Sequence, residues 1–192
     1  MPSTAHGDTG WDVFSLDYHV DAPLSTILSN DMMQSYLTIS NFLWRLKRVE
    51  HALSSAWHIS MTARQISRLP AVRHTLHRSH LLRAEMLQLI NSIQYYVMFE
   101  VLETSWQQLE QQMSKAAGLD DLIMAHKGYI SSIMKGAMLD TAALPLLNAL
   151  QLIFDTILRF RAVQVCTLIV NEQRWLSDMT HRKVSSLQLL KL

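Results

Sequence analysis

Polarity alternates strictly along one short segment near the start of the chain. Between Phe14 and Val20, every second residue is apolar and the residues between are polar. A period of two is typical of a β-strand that buries one face. Asp21–Pro23 follows directly, and proline fits the first turn of a helix because no backbone N–H is needed there. The pattern predicts one short strand and then helix.

From Asn30 onward, apolar residues recur every three or four positions, which is the spacing of a helix with one buried face. Pro70 disfavours helical geometry in the residue before it, and Gly118 is a plausible stop. The predicted helices cover about 30–64, 71–117, 120–139 and 140–175. The second is about 70 Å long at 1.5 Å per residue, so we expect a bend or a long paired rod.

The composition agrees with an all-α fold of long-helix bundles with one short N-terminal strand. The 192 residues are 49% hydrophobic and include only five glycines and four prolines, which argues against disorder and against frequent turns. A net charge of +1 gives no overall attraction to nucleic acid or to an anionic membrane. The single Cys166 excludes an internal disulfide framework and favours a reducing compartment.

The sequence shows neither a signal peptide nor an uninterrupted membrane span. Residues 1–10 are polar, and the most apolar run, Leu144–Leu158, is interrupted by Asn148, Gln151 and Asp155. We therefore expect an intracellular, soluble chain.

Several long strings carry a resemblance to a known family. The chain contains W-D-V-F-S-L-D-Y-H-V-D-x-P-L and then S-Y-L-x-x-x-N-F-L-W-R-x-K-R-V-E, followed by Gln94–Glu103 and Leu119–His126. These strings, within roughly Gly10 to Phe160, resemble the C-terminal domain of the gamma-tubulin complex components (Grip-motif proteins). The likeness is strongest to the third-component, or Spc ninety-eight, branch.

The resemblance implies a function without chemistry. It implies gamma-tubulin binding and microtubule nucleation at a cytoplasmic microtubule-organising centre such as the spindle pole in mitosis. The expected partners are gamma-tubulin and other components of the complex, with no cofactor, nucleic acid or membrane. It also implies a fragment: a flexible lead over 1–9, a partial domain over 10–176 that lacks its last helix, and a tail over 177–192 unlike the family.

Candidate catalytic and metal-binding residues are weak. His74, His77 and His80 lie at steps of three, which spreads the outer pair by about 120° around a helix, so they cannot easily converge on one ion. Cys166 lies in an apolar helix and is expected to be a small core residue. Asp120 and Asp121 are explained by the helix start. No phosphate-binding loop or nucleophile motif is present, so we expect no enzyme.

Charge is unevenly distributed along the chain. Glu50 is the only acid among the basic residues from Arg45 to Arg83, whereas acids dominate from Glu85 to Asp121. The two segments are either solvated faces of neighbouring helices or a basic surface for an acidic partner. RNA is poorly supported, because no aromatic residue interleaves with residues 64–83. The candidate partner-binding residues are Arg45, Lys47, Arg48, Arg64 and Arg68.

Two expectations concern packing. Trp57 and Trp106 extend apolar stripes and are predicted to lie in the core, whereas Trp44 is ambiguous. The apolar faces of the second and fourth helices are wider than a single contact with one neighbouring helix needs. This width predicts exposed apolar surface, marginal stability or self-association of the chain alone.

The alternative to the family function is a generic helical adaptor that binds another coiled helix or an RNA.

Overall fold

The structure, a computed structural model, describes residues 14–16, 18–62 and 70–189. Short 3₁₀ turns cover Leu24–Thr26 and Thr141–Ala143, and a π-helical segment, Tyr96–Glu103, joins the second α-helix to the third without a break. The α-helices are α1 (Asn30–Thr62), α2 (Pro70–Tyr95), α3 (Thr104–Lys115), α4 (Leu119–Gly136) and α5 (Leu144–Leu189).

The all-α prediction is confirmed, and most helix boundaries lie within a few residues of those expected. The long second helix is also found: 26 residues of α2, 8 of the π-helical segment and 12 of α3 run continuously to Lys115. The fourth helix was predicted too short. α5 continues beyond Trp175 to Leu189, because that part of the sequence contains no glycine or proline to end it.

The prediction of an N-terminal strand was wrong for the described residues of that segment. Residues 14–16 and 18–20 have no regular secondary structure, and the described part of the chain holds no strand with which they could pair. The apolar residues of this segment pack on a helix instead. The ring centroids of Phe14 and Trp44 are 5.1 Å apart. The segment therefore lies beside α1 while its apolar side chains stay largely exposed, with Phe14, Leu16 and Tyr18 at 46%, 64% and 71%.

Aspartate side chains set two helix starts as the sequence indicated. Asp121, in the first turn of α4, accepts a hydrogen bond from the Ala117 backbone N–H at 2.9 Å, and Gly118 at the N-cap is extended. Asp140 accepts one from the Ala143 N–H at 3.1 Å and so begins the turn that leads into α5. Negative charge at these positions also favours the helix dipole.

The described chain forms two compact units, the first from residues 1–48 and 90–153 and the second from residues 49–89 and 154–192. In the first unit, α3 and the π-helical segment pack against α4. Two hydrogen bonds cross this contact: one joins the hydroxyls of Ser105 and Ser132 at 3.2 Å, and the Tyr96 hydroxyl donates to the Gly136 carbonyl at 3.1 Å. The buried side chains here belong to Val97, Val101, Ser105, Leu109, Ala125, His126, Ile130, Ile133 and Ala137.

The π-helical segment follows from the spacing of these buried residues. Val97, Val101, Ser105 and Leu109 are four positions apart. In a regular α-helix each such step rotates the side chain by about 40°, so the row would leave the contact. A wider π-helical turn absorbs this rotation and keeps the row facing α4. The Thr104 hydroxyl donates to the Phe99 carbonyl at 3.2 Å within the same segment.

The second unit buries apolar side chains of α1 and α5. Val49, Leu53, Ala56, Ile157 and Leu168 are each at most 2% exposed. Trp57 was expected in this core but is 36% exposed. It lies at the edge of the unit, where the indole packs edge-on against the His80 ring with the ring centroids 5.4 Å apart. The Arg83 guanidinium lies over the indole, with its Cζ 4.6 Å from the ring centroid.

By length and composition alone, one stretch of the described residues, Leu119–Asn171, could cross a membrane. Core helices of soluble proteins pass the same test, so this is weak evidence. Only 11% of its most apolar window is buried, which means that much of this apolar surface faces outward.

Candidate partner-binding surfaces

The predicted basic residues are only partly brought together. Arg45 and Arg48 are three positions apart on α1, so they lie on neighbouring turns of one face. Lys47 lies on a different side of the helix, and its Nζ donates to Gln94 Oε1 at 3.2 Å. Arg45 and Lys47 are exposed, whereas Arg48 is half-buried. Arg64 and Arg68 lie outside the described residues.

A cluster of aromatic and titratable side chains connects α1 to α4 in the first unit. Tyr36 Oη and His126 Nε2 form a hydrogen bond at 2.9 Å, and the two rings are 5.9 Å apart. Tyr129 lies 6.2 Å from the His126 ring, and Trp106 packs edge-on against Tyr129 at 6.2 Å. Trp106 is 48% exposed, so the prediction that it lies in the core was wrong.

Burial controls the protonation of this cluster. It lowers the pKa of His126, which is only 8% exposed and whose Nδ1 has no hydrogen-bond partner in the described protein. Burial, and then the nearby Tyr129, raises the pKa of Tyr36 to about 12. Burial also raises the pKa of Tyr129. The imidazole is therefore neutral at physiological pH, and the cluster acts as a packed polar contact rather than as an acid–base pair.

An apolar cleft of about 350 Å³ opens beside Tyr36. The extended N-terminal segment forms one wall through Leu16 and Tyr18, and the first turns of α1 form the other. Its lining residues are Leu16, Tyr18, Leu28, Met33, Tyr36, Leu37 and Ser40. These residues include three hydroxyl groups and no charged side chain, so the cleft offers mainly shape and apolar contact.

An exposed aromatic surface lies where α2 passes into the π-helical segment. It was not predicted from the sequence. Tyr95 and Phe99 are 62% and 56% exposed, and their ring centroids are 4.7 Å apart. Met98 is 50% exposed beside them. These residues lie within the family-like string Gln94–Glu103, but helical periodicity alone could not separate exposed aromatic residues from buried ones. The signal in the sequence that could have identified them is the row of residues spaced four positions apart, because this row assigns Val97 and Val101 to the core.

The remaining candidate residues carry no reactive arrangement. His74 and His77 are exposed, while His80 packs on Trp57, so the three do not share one surface. Burial, and then the charges of Arg83 and His77, lowers the pKa of His80. Cys166 is exposed rather than in the core, because it lies on the side of α5 opposite Ile157 and Leu168. Among the described residues, no three His, Cys, Asp or Glu side chains converge on a metal position.

Known sequences include relatives of this chain. The family profile described as gamma tubulin complex component C-terminal matches residues 1–189. The chain belongs to the gamma-tubulin complex component family. Its relatives include a gamma-tubulin complex component 3 homolog of Xenopus laevis, 44% identical over 159 residues, and the Homo sapiens gamma-tubulin complex component 3, 42% identical over 159 residues.

The match covers much of this chain but little of each relative. The alignments to the Xenopus and human proteins span 82% of this chain and 18% of the relative. Spindle pole body component 98 of Dictyostelium discoideum is 47% identical over 128 residues, or 66% of this chain and 16% of that protein. The chain therefore spans about a fifth of the length of these family members.

Proposed function

We propose that the chain binds gamma-tubulin as part of a gamma-tubulin complex and helps to position it for microtubule nucleation. The observation that carries the proposal is the family profile over residues 1–189. The names of the relatives support it, since they are gamma-tubulin complex components and spindle pole body components. The proposed location is the microtubule-organising centre, and the other proposed partners are further components of the complex.

The proposed mechanism is positional and involves no covalent step. Nucleation of a polymer requires that the first subunits be held in a fixed relative orientation, and packed helices provide a rigid support. The aromatic cluster of Tyr36, His126 and Tyr129 helps to fix α1 to α4 within the first unit. Mutations that loosen this support should weaken nucleation even where no partner is touched.

We further propose that Arg45, Lys47, Arg48, Arg64 and Arg68 contribute to docking an acidic surface of gamma-tubulin. The support is the nearly acid-free stretch from Arg45 to Arg83 and the exposure of Arg45 and Lys47 on α1. Charges of this kind mainly accelerate encounter and make it dependent on salt.

Co-precipitation of gamma-tubulin by the purified chain, with and without RNase, tests the proposal. Capture that survives RNase is expected. A folded chain that captures RNA but no gamma-tubulin would instead support the alternative, a helical adaptor. That alternative is favoured by one specific observation: α5 extends for 46 residues and carries exposed apolar side chains suited to another helix.

The basic residues are tested with variants of equal charge change. The variant Arg45→Glu with Arg68→Glu should slow association with gamma-tubulin and reduce its dependence on salt. The control, Lys127→Glu with Lys135→Glu, changes two exposed lysines of α4 and should leave the association rate within about twofold. Equal rates for both variants would mean that the basic segment is only a solvated face.

The division of the chain into a lead over 1–9, a domain over 10–176 and a tail over 177–192 stays a prediction. α5 passes through residue 177 without interruption, and the family profile extends to residue 189. Limited proteolysis tests the boundary: rapid cleavage confined to residues after 177 would support a separate tail.

A further inference from the structure

One surface of the first unit is unusually apolar for a solvent-facing part of a helix. Tyr95, Met98 and Phe99 lie within a single turn or so, and each is at least half exposed. The two aromatic rings contact one another at 4.7 Å, so they form one continuous patch. Solvent-facing aromatic and methionine side chains that cluster in this way are typical of protein contact sites.

The patch has a firm backing. Directly behind it, Val97 and Val101 are 0% and 5% exposed and pack toward α4. The neighbouring Tyr96 hydroxyl donates to the Gly136 carbonyl at 3.1 Å, which ties the π-helical segment to the end of α4. A surface held on a packed helix loses little conformational entropy when a partner binds.

Within its own segment of the chain, the charge beside the patch has one sign. Glu100 and Glu103 are exposed within the same segment, and neither forms an ion pair with a basic side chain in the described part of the chain. The sequence from Ala84 to Ser114 contains no lysine, arginine or histidine at all. A partner that covers this surface therefore meets two carboxylates beside aromatic rings, while Lys47 of α1, whose Nζ donates to Gln94 Oε1, lies at the α2 edge of the surface.

We propose that this acidic–aromatic surface, formed by Tyr95, Met98, Phe99, Glu100 and Glu103, binds a basic amphipathic helix of a protein partner. The helix would place its apolar stripe on the aromatic pair and its lysine or arginine side chains beside the two glutamates. This surface goes beyond the proposed gamma-tubulin contact, which uses basic residues.

The sign of the charge decides against two other classes of partner. Nucleic acid binds chiefly through its phosphates, which Glu100 and Glu103 repel. Anionic membrane surfaces attract basic segments and repel acidic ones in the same way. A basic helix is the partner that satisfies both the exposed rings and the exposed carboxylates, since aromatic residues supply affinity and opposite charge supplies selectivity.

A displayed library of 20-residue helical peptides, with randomised apolar and polar faces, tests the proposal on the full chain. The peptides recovered should carry a net positive charge and one apolar stripe. Their affinity should fall at least tenfold for Phe99→Ser and for Glu100→Lys, and it should weaken with added salt. Matched controls are Met124→Ser, which removes a 70% exposed apolar side chain of α4, and Glu85→Lys on α2. Both should stay within about twofold.

Several outcomes would overturn the proposal. They are the recovery of no peptide, the recovery of neutral or acidic peptides, and equal losses in the control variants. If the chain self-associates in sedimentation and Phe99→Ser abolishes this, the occupant is a second copy. If Phe99→Ser, still helical by circular dichroism, instead abolishes gamma-tubulin capture, the surface belongs to gamma-tubulin. Failure of gamma-tubulin capture in the unaltered chain alone leaves the peptide result standing, so the two proposals fail separately.

Discussion

Met138 ends α4 in a backbone conformation that favours glycine. Its φ is 59°, in the left-handed region. The Met138 N–H bonds the Lys135 carbonyl at 3.1 Å, and the Leu139 N–H bonds the Met134 carbonyl at 2.8 Å. This pair of hydrogen bonds is the Schellman motif, in which the left-handed position is usually glycine. A side chain at that position costs roughly 1 kcal/mol.

Met138→Gly should therefore raise the free energy of unfolding by about 0.5–1 kcal/mol, despite the loss of a half-buried side chain. Met138→Ala keeps the unfavourable φ and loses the same side chain, so it should lower that free energy. Urea unfolding of both variants checks the order. If alanine stabilised the chain as much as glycine, backbone strain at Met138 would not be the cause.

Stability should fall with acidity through His126. Its pKa is lowered by burial in the folded state, so the unfolded chain binds the proton more readily. The neutral His126 side chain therefore contributes fully to the free energy of unfolding above the unfolded-state pKa of about 6.5. This contribution is lost as the pH falls below that value. Urea unfolding between pH 7.5 and 5.5 should show this loss, and His126→Phe should reduce the slope.

Tyr36→Phe tests the same contact from the other side. It removes the hydroxyl bonded to His126 Nε2 and leaves a ring nitrogen without its partner. The expected loss is about 1 kcal/mol, the usual scale for one hydrogen bond. An unchanged unfolding free energy at pH 7.5 would show that water replaces the hydroxyl without cost.

At the scale of elements, the close approach of Gly136 to the π-helical segment can be tested. A Cβ on Gly136 would lie 2.8 Å from Val101 Cγ1, which is too close for carbon atoms. Gly136→Ala should cost about 1–3 kcal/mol through overpacking. The control is Gly128→Ala, also in α4, where a Cβ meets nothing within 4 Å. Alanine there should stabilise the helix by about 0.5–1 kcal/mol.

A second substitution identifies the cause. If contact with Val101 is responsible, Val101→Ala should recover part of the loss in the Gly136→Ala background, because the two sites then share one space. Strictly additive losses in urea unfolding would contradict this explanation.

Sequence periodicity predicted the helices well and the details of their faces less well. Ile39, Leu46, Val49 and Leu53 of α1 are buried as expected. Trp57 and Trp106 are exposed because each lies one position away from a buried row: Ala56 and Ser60 are buried around Trp57, and Ser105 and Leu109 around Trp106. The strand failed for a different reason. Alternating polarity indicates a strand only where another strand can pair with it; here the largely exposed Leu16 and Tyr18 border α1 instead.

At the scale of the whole molecule, exposed apolar side chains predict self-association. Val163 and Val170 of α5 are 66% and 61% exposed, one above the other two turns apart. The sedimentation coefficient of the chain should rise with concentration. Val163→Gln with Val170→Gln should reduce this rise, whereas Arg159→Gln, an exposed polar position, should not. A monomer at all concentrations, with a sharp unfolding transition at high temperature and no binding of an apolar dye, would contradict the prediction.

The candidate sites could be predicted from the sequence only in part. Uneven charge located the basic residues of α1, but only the structure showed that Lys47 contacts Gln94 and lies apart from Arg45. Every residue of the acidic–aromatic surface can be read from the sequence, but the surface that they form cannot. The spacing of Val97 and Val101 indicates which side faces inward, but only the structure shows that Tyr95 and Phe99 pack together as one exposed patch.

The lack of lysine and arginine within the segment that forms the acidic–aromatic surface has a practical consequence for mapping. Trypsin cleaves after lysine and arginine, so it releases Ala84–Lys115 as one uncut peptide that carries every residue of that surface. Amine-reactive crosslinkers find no lysine within that peptide before Lys115, so a contact made there is reported only through lysines of other elements, such as Lys47, whose Nζ lies 3.2 Å from Gln94 Oε1. Reagents that activate carboxylates would report directly through Glu100 and Glu103. An interaction map built on amine chemistry alone would therefore assign a partner seated there to α1 rather than to this surface.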